Sequence, residues 1–305
     1  MNNQDVTLRL SNISKRFDEF VAVDALSLDV RRGRIFGLLG PNGAGKTTTI
    51  RMIVRITIPD SGQIEIFGEP LGQKHQEQIG YLPEERGLYK KMRVGDQIKF
   101  FGELKGMSAK DAQRAADEWL ERMKLSEWKM KKSDELSKGM QQKIQFITTV
   151  MHQPQLIILD EPFSGLDPVN AQLLKEIVLD LKAQGRTIIF STHMMEQAEQ
   201  LCDDICLLNR SRKVLEGTLR DIKGKYKRNV VALRATGADA ALSELKFETS
   251  VSHTGEDEMQ VTLREEEDAQ KLLARLIETG AQVTKYELVE PSLHEIFISK
   301  VGETS

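Results

Sequence analysis

One stretch constrains this chain more than any other: Gly40-Pro41-Asn42-Gly43-Ala44-Gly45-Lys46-Thr47-Thr48. It matches G-x-x-x-x-G-K-[ST]. It stands between an apolar run, Ile35-Phe36-Gly37-Leu38-Leu39, and a helix-like start, Thr48-Thr49-Ile50-Arg51-Met52-Ile53. Strand, glycine loop and helix in that order are the context in which the pattern binds phosphate. The glycines let the backbone curl so that successive N–H groups face inward as an anion nest. The helix N-terminus adds its partial positive charge. Lys46 is placed to reach the β- and γ-phosphates of a nucleotide, and the Thr47 hydroxyl to bind Mg²⁺.

Downstream, Leu156-Ile157-Ile158-Leu159-Asp160-Glu161-Pro162 reads as a buried strand ending in two carboxylates. Open α/β sheets bind ligands at the carboxyl ends of their parallel strands. Beside a phosphate loop, Asp160 is placed to hold Mg²⁺ through water, and Glu161 to orient or deprotonate an attacking water; a plain strand-capping acid pair is the competing reading. Thr187-Ile188-Ile189-Phe190-Ser191-Thr192 is another buried strand, with His193 at its end, a candidate phosphate sensor or a structural histidine. Ser137 is an N-cap candidate for a helix running through Ile144, Ile147 and Val150. Ser164-Gly165-Leu166-Asp167-Pro168 is a turn, and Pro168 suits the first turn of the next helix.

The remaining pattern sets the architecture. Val21, Val23, Leu28 and Val30 lie at even steps, broken near Asp24-Ala25, within a β-rich region over 5–36. Phe17 either stacks on an adenine or fills the core of a strand. Gln63–Phe67 and Ile79–Pro83 read as strands, and residues 93–152 turn helical. Strands alternating with helices predict a mainly parallel sheet. Near Gly224 the character changes: Lys223-Gly224-Lys225-Tyr226-Lys227-Arg228 reads as a basic linker. Beyond it Val230–Leu233, Met259–Leu263 and Ala281–Thr284 read as strands and Ala269–Ile277 as an amphipathic helix. The run Glu265-Glu266-Glu267-Asp268 reads as a charge cluster at a helix start. The expected domains are therefore 1–224 and 225–305.

With 43 basic and 46 acidic residues, the chain has no bulk attraction to nucleic acid. No apolar run approaches the roughly 20 residues of a spanning helix. The start, Met1-Asn2-Asn3-Gln4-Asp5, shows no signal pattern. Cys202 and Cys206 are the only cysteines and read as structural thiols in a reducing cytosol.

Taken together, these residues resemble the ATP-binding subunits of ABC transporters over about residues 5–220. The phosphate loop, Leu136-Ser137-Lys138-Gly139-Met140 as the signature, the acidic strand, Ser164-Gly165-Leu166-Asp167 as the D-loop and His193 as the switch histidine occur in the family's order. The resemblance implies an α/β fold of the P-loop NTPase type, with a mainly parallel sheet, an antiparallel β subdomain and a helical subdomain, followed here by a small α+β domain. It implies ATP and Mg²⁺ as cofactors and hydrolysis of ATP. Two subunits, the same or different, would sandwich two ATP molecules head to tail. Ser137 and Gly139 of one chain would then contact the γ-phosphate held by Lys46 of the other, with Asp167 also beside the nucleotide. Phe17 matches the adenine-stacking aromatic. Two departures stand out: Glu84 replaces the usual Gln as a metal ligand, and Lys138 and Met140 replace Gly and Gln of the common signature.

The runs Ile79-Gly80-Tyr81-Leu82-Pro83-Glu84-Glu85-Arg86-Gly87-Leu88-Tyr89 and Glu290-Pro291-Ser292-Leu293-His294-Glu295-Ile296-Phe297 resemble the bacterial exporter branch associated with sodium and drug efflux. That resemblance implies a separate transmembrane permease holding the chain on the cytoplasmic face of the membrane. The alternative is a soluble ABC ATPase acting on ribosomes or nucleic acid; no direct nucleic-acid contact is expected.

Overall fold

The computed structural model describes residues 5–85, 87–226, 229–238, 242, 248–253, 258–265 and 267–302. Arg86, Lys227, Arg228 and Glu266, which entered the readings above, lie outside the described residues. The chain divides into two compact units, Met1–Leu219 and Arg220–Ser305.

The first unit begins with a long hairpin, β1 (Val6–Phe17) and β2 (Phe20–Arg31). The break in alternation at Asp24-Ala25 is a bulge. Ala25 takes a φ of 45°, and the pairing shifts between Ile13↔Leu26 and Lys15↔Val23. With β4 (Ser61–Ile66) and β5 (Glu69–Pro70) the hairpin makes an antiparallel sheet ordered β2-β1-β4-β5. The second sheet contains β3 (Ile35–Leu39), β6 (Ile79–Leu82), β7 (Leu156–Asp160), β8 (Thr187–Thr192), β9 (Asp204–Asn209) and β10 (Arg212–Thr218). Its order is β10-β9-β3-β8-β7-β6, parallel except for the β9–β10 hairpin. Every residue of β3, β7 and β8 is buried, as expected of strands covered on both faces. Leu8, Leu10, Ile13, Val23, Phe36, Ile50 and Ile158 belong to one core shared by the two sheets and α1 (Lys46–Ile53).

This strand order positions the site. Strands β3, β8, β7 and β6 lie side by side and point the same way, so Gly40, His193, Glu161 and Glu84, each one or two residues past a strand end, come to one edge.

The helical stretch resolves into α2 (Val94–Leu104), α3 (Ala109–Arg122) and α4 (Lys138–Val150), followed by α5 (Pro168–Ala183) and α6 (Met195–Leu201). Ser108 Oγ caps α3 by accepting from Asp111 N at 3.1 Å. Ser137 Oγ caps α4 by accepting from Met140 N at 3.3 Å, as its position predicts. Asp167 caps α5, accepting from Asn170 N at 3.0 Å, with Pro168 in the first turn. Cys202 and Cys206 are free and buried. A Cβ at Gly37 would come within 2.8 Å of Cys202 Sγ, so this thiol is packed against β3. Burial pushes both thiols up, away from the reactive thiolate.

The boundary between the units falls after the first residue of α7 (Leu219–Lys225), so Lys223, Gly224 and Lys225 belong to a helix and not to the linker expected there. The second unit continues with β11 (Val230–Thr236), β12 (Glu248–His253), β13 (Glu258–Leu263), α8 (Asp268–Glu278), β14 (Gln282–Val289) and α9 (Leu293–Gly302). The sheet is antiparallel in the order β12-β13-β11-β14, the strand order of a split β-α-β arrangement. Val231, Leu233, Val261, Leu263, Leu272 and Leu276 form its core. Asp268 opens α8 and pairs with Lys271 at 2.7 Å, which places the acidic run at a helix start. The tail motif has a local reason: Ser292 N donates to Glu295 Oε2 at 2.8 Å and Ser292 Oγ accepts from Glu295 N at 3.2 Å, a capping box for α9. Among the described residues no helix is long and apolar enough to cross a membrane.

Candidate active site

The phosphate loop links β3 to α1. Two of its glycines are required by close approach as well as by backbone angle. Gly40 has a φ of 148°, and a Cβ there would lie 2.3 Å from Leu208 O. Gly45 has a φ of 104°, and a Cβ there would lie 2.4 Å from Ala22 O. Ala44 is buried beneath the loop. Lys46 is buried and turns back along the loop, donating Nζ to Gly40 O at 2.7 Å and Pro41 O at 3.1 Å. Burial lowers its pKa, and the Glu161, Asp160 and Glu84 carboxylates oppose that shift.

The loop forms one wall of a cleft of about 230 Å³. Asn42, Gly43, Gly45, Lys46, Thr47 and Thr48 line it, with Glu84, Asp160 and Glu161 opposite and Phe20 and Ala22 beside them. Asp160 is fully buried and accepts from Thr47 Oγ1 at 3.1 Å through Oδ2; its buried Oδ1 has the Ser191 hydroxyl near the carboxylate but no well-formed hydrogen bond among the described residues. Burial pushes its carboxyl up from the usual range. An orphaned carboxylate oxygen beside a threonine hydroxyl fits Mg²⁺, which binds through one or two protein oxygens while keeping waters and phosphate oxygens. Among the described residues no three His, Cys, Asp or Glu side chains gather into a self-sufficient metal cage. Thr47 and Asp160, with Glu84 across the cleft, are the residues that would hold the ion; when bound, it would neutralise phosphate charge.

Glu161 is held by three donors. Thr192 Oγ1 donates to Oε2 at 3.1 Å, and His193 N and Nδ1 meet Oε1 at 3.0 and 2.7 Å. Its backbone sits at a φ of 48°, a left-handed conformation that costs a non-glycine residue about 1–2 kcal/mol. Strain of this kind concentrates at functional positions. The carboxylate is aimed into the cleft by its neighbours on β8, where a water beside a γ-phosphate would need a base. Gln145 Nε2 donates to Glu85 O at 3.0 Å, fixing the segment that carries Glu84.

Other expected residues stand apart. Phe17 does not line this cleft; it pairs across the hairpin with Phe20, under Lys15 Nζ at 5.5 Å from its ring. Ser137, Gly139 and Asp167 are not on the cleft wall. Gly139 instead packs against the D-loop: a Cβ there would lie 3.3 Å from the Leu166 side chain and 3.4 Å from Gly165 O. Sequence reasoning missed Phe20 and Thr192. Phe20 carried a usable signal as the exposed aromatic at the turn of the same hairpin; Thr192 carried none, since a hydroxyl inside a buried strand says nothing about where it points.

A phosphate loop and an acidic strand end at the edge of a mainly parallel sheet define a P-loop nucleotide-hydrolysing enzyme. The ABC transporter family profile matches residues 23–164, and that of the ATP-binding protein DrrA1-3-like C-terminal domain matches 217–301. The uncharacterized ABC transporter ATP-binding protein YhaQ of Bacillus subtilis (strain 168) is 45% identical over 97% of this chain and 98% of its own length. The Nod factor export ATP-binding protein I of Rhizobium sp. (strain N33) is 38% identical over 70% of this chain and 71% of its own. A solved structure of an ATP-binding subunit of an ABC transporter superposes with a TM-score of 0.68 and 31% identity, over 72% of this chain and 93% of that one. The chain belongs to the ATP-binding subunits of ABC transporters and is an ATPase of that family.

Proposed function

We propose that this chain powers an exporter, driving a separate membrane permease through ATP-dependent pairing with a second ATPase chain, identical or related. The observation that carries the reading is the division of the site. The cleft wall holds the phosphate loop, Glu84, Asp160 and Glu161 but nothing from Leu136 to Met140. Ser137 meanwhile lies exposed at the N-terminus of α4, where backbone N–H groups favour an anion. The signature would therefore serve a nucleotide held by another chain.

In this reading Lys46 and the loop N–H groups hold the phosphates, and Phe17, outside the cleft but paired with its wall residue Phe20, stacks on an adenine that extends beyond it. Thr47, Asp160 and Glu84 would hold Mg²⁺. Glu161 takes the proton of the attacking water, and His193, bonded to Glu161, reports the γ-phosphate. Ser137, Gly139 and Asp167 act on the partner's nucleotide. Export is supported by the likeness to the Nod factor export ATP-binding protein.

A second groove, of about 330 Å³, suits the permease. Ile56, Tyr81, Leu88, Phe101, Leu104 and His152 line it, and Ile56 and Leu104 are exposed. Such a groove accepts one face of an amphipathic helix, and Tyr81 and Pro83 on its wall lead directly to Glu84. The chain would sit on the cytoplasmic face of the membrane through this contact. Pull-down of the tagged chain from detergent-solubilised membranes tests the reading. Recovery of a multi-span membrane protein is expected; recovery of ribosomes or nucleic acid without one would overturn it.

A further inference from the structure

The cleft carries one carboxylate more than its other contacts account for. Asp160 accepts from Thr47, and Glu161 from Thr192 and His193. Glu84 is exposed at the cleft wall and makes no hydrogen bond or ion pair with any described residue. Its charge still acts on both Lys46 and Asp160. Lys46 is the only cationic side chain among the residues lining the cleft, facing three carboxylates. Among the described residues no three His, Cys, Asp or Glu side chains group into a cation cage, and Mg²⁺ characteristically binds through one or two carboxylates together with substrate phosphates.

We propose that Glu84 makes this cleft selective for the metal-complexed triphosphate by repelling metal-free nucleotide. A bare triphosphate would place several negative oxygens among Glu84, Asp160 and Glu161, against the loop N–H groups and Lys46, the one cationic side chain on the cleft wall. Like charges a few ångströms apart in a partly wetted site repel measurably. Mg²⁺ held by Thr47, Asp160 and Glu84 would turn that repulsion into attraction. A glutamine at 84 keeps the shape and an oxygen ligand but removes the repulsion. The inference rests on the reading that this cleft takes ATP and adds a discrimination that reading does not contain.

Titration calorimetry of the full chain with ATP, once in Mg²⁺ and once in EDTA, tests it for the native protein and Glu84→Gln. The substitution is expected to tighten metal-free ATP about tenfold while moving Mg-ATP affinity by less than about threefold. Added salt is expected to narrow the gap between the two proteins in EDTA, because Glu84 is exposed and its field is screened. Unchanged affinity for metal-free ATP overturns the proposal. A change confined to Mg-ATP also overturns it, making Glu84 purely a metal ligand. Failure of the native chain to bind Mg-ATP at all would bring down the nucleotide reading itself, a result distinct from either.

Discussion

Replacing Glu161 with glutamine separates catalysis from binding at this site. The native carboxylate accepts from Thr192 Oγ1, His193 N and His193 Nδ1. A glutamine carbonyl at the Oε1 position keeps the bond from His193 N and can keep that from Nδ1–H. Its amide then faces Thr192 Oγ1, which accepts once the hydroxyl rotates. The left-handed backbone at 161 burdens both residues alike. One remade hydrogen bond sets the scale of the stability change at about 1 kcal/mol or less. Loss of a positioned base slows the chemical step by about 10²- to 10⁴-fold, equivalent to about 3–5 kcal/mol of barrier. Lys46, Thr47 and Asp160 are untouched, and one negative charge beside the γ-phosphate is gone, so Mg-ATP should still bind. If the signature of one chain closes over the nucleotide of another, the mutant should accumulate as a dimer in Mg-ATP and remain monomeric in ADP. Phosphate release and light scattering after gel filtration read both properties. Turnover near the native rate would remove Glu161 as the base. Slow turnover with a monomer in Mg-ATP would keep the base and refute self-pairing.

The other sites give sharper single tests. Lys46→Ala should weaken Mg-ATP binding about 10- to 100-fold by calorimetry, the worth of a charged hydrogen-bonding group, and native-like affinity would refute its phosphate role. Because burial raises the folded-state pKa of Asp160, this group favours the fold below its unfolded pKa and loses that advantage as pH rises through the folded value. Asp160→Asn should therefore melt higher than the native chain in EDTA near neutral pH, with the gap closing toward the ordinary aspartate pKa of about 3.9. A lower melting temperature or a gap insensitive to pH would count against it. Leu104→Glu, at an exposed groove position, should shift stability by less than about 0.5 kcal/mol and leave basal ATPase intact, while abolishing recovery of the permease; undiminished recovery would remove the groove as its dock.

What was readable in the sequence follows from how strongly each segment is constrained. β3, β7 and β8 are buried throughout, so their apolar runs could be little else, and the carboxylates and histidine past their ends fell at one sheet edge once the strands were parallel. The broken alternation at Asp24-Ala25 was also a true signal, since a bulge occupies it. β12 gave almost none: Ser250 and Ser252 flank Val251 in a strand at the sheet edge, and it is held by pairing with β13. Gly224 misled because glycine and flanking lysines mark a break in most contexts, yet here they sit in α7. Pairings distant in sequence, such as Thr192 to Glu161, depend on the strand register between β7 and β8, and composition does not encode register.

The same logic explains why Ser137, Gly139 and Asp167 could be named but not placed at the cleft. Residues that serve a nucleotide within one chain are tied to strand ends, and sheet order brings them together. Ser137 and Asp167 are instead tied to their own helices as caps. A further connection joins these two helices. Lys143 Nζ, buried on α4, donates to Asn170 Oδ1 at 3.0 Å and to Met123 O at 2.8 Å, and Asn170 Nδ2 donates to Asp167 Oδ2 at 2.5 Å. Gly139 closes the remaining gap by lying against Leu166 and Gly165. The signature helix and the D-loop are therefore held to each other by a buried ammonium, an amide and a close backbone approach. A displacement of α4 that broke this link would leave Lys143 without the Asn170 carbonyl, and a buried polar group stripped of a partner is unfavourable by about 1–3 kcal/mol. The lower-energy course is for α4 and the D-loop to move together, so that any shift of α4 carries Asp167 with it.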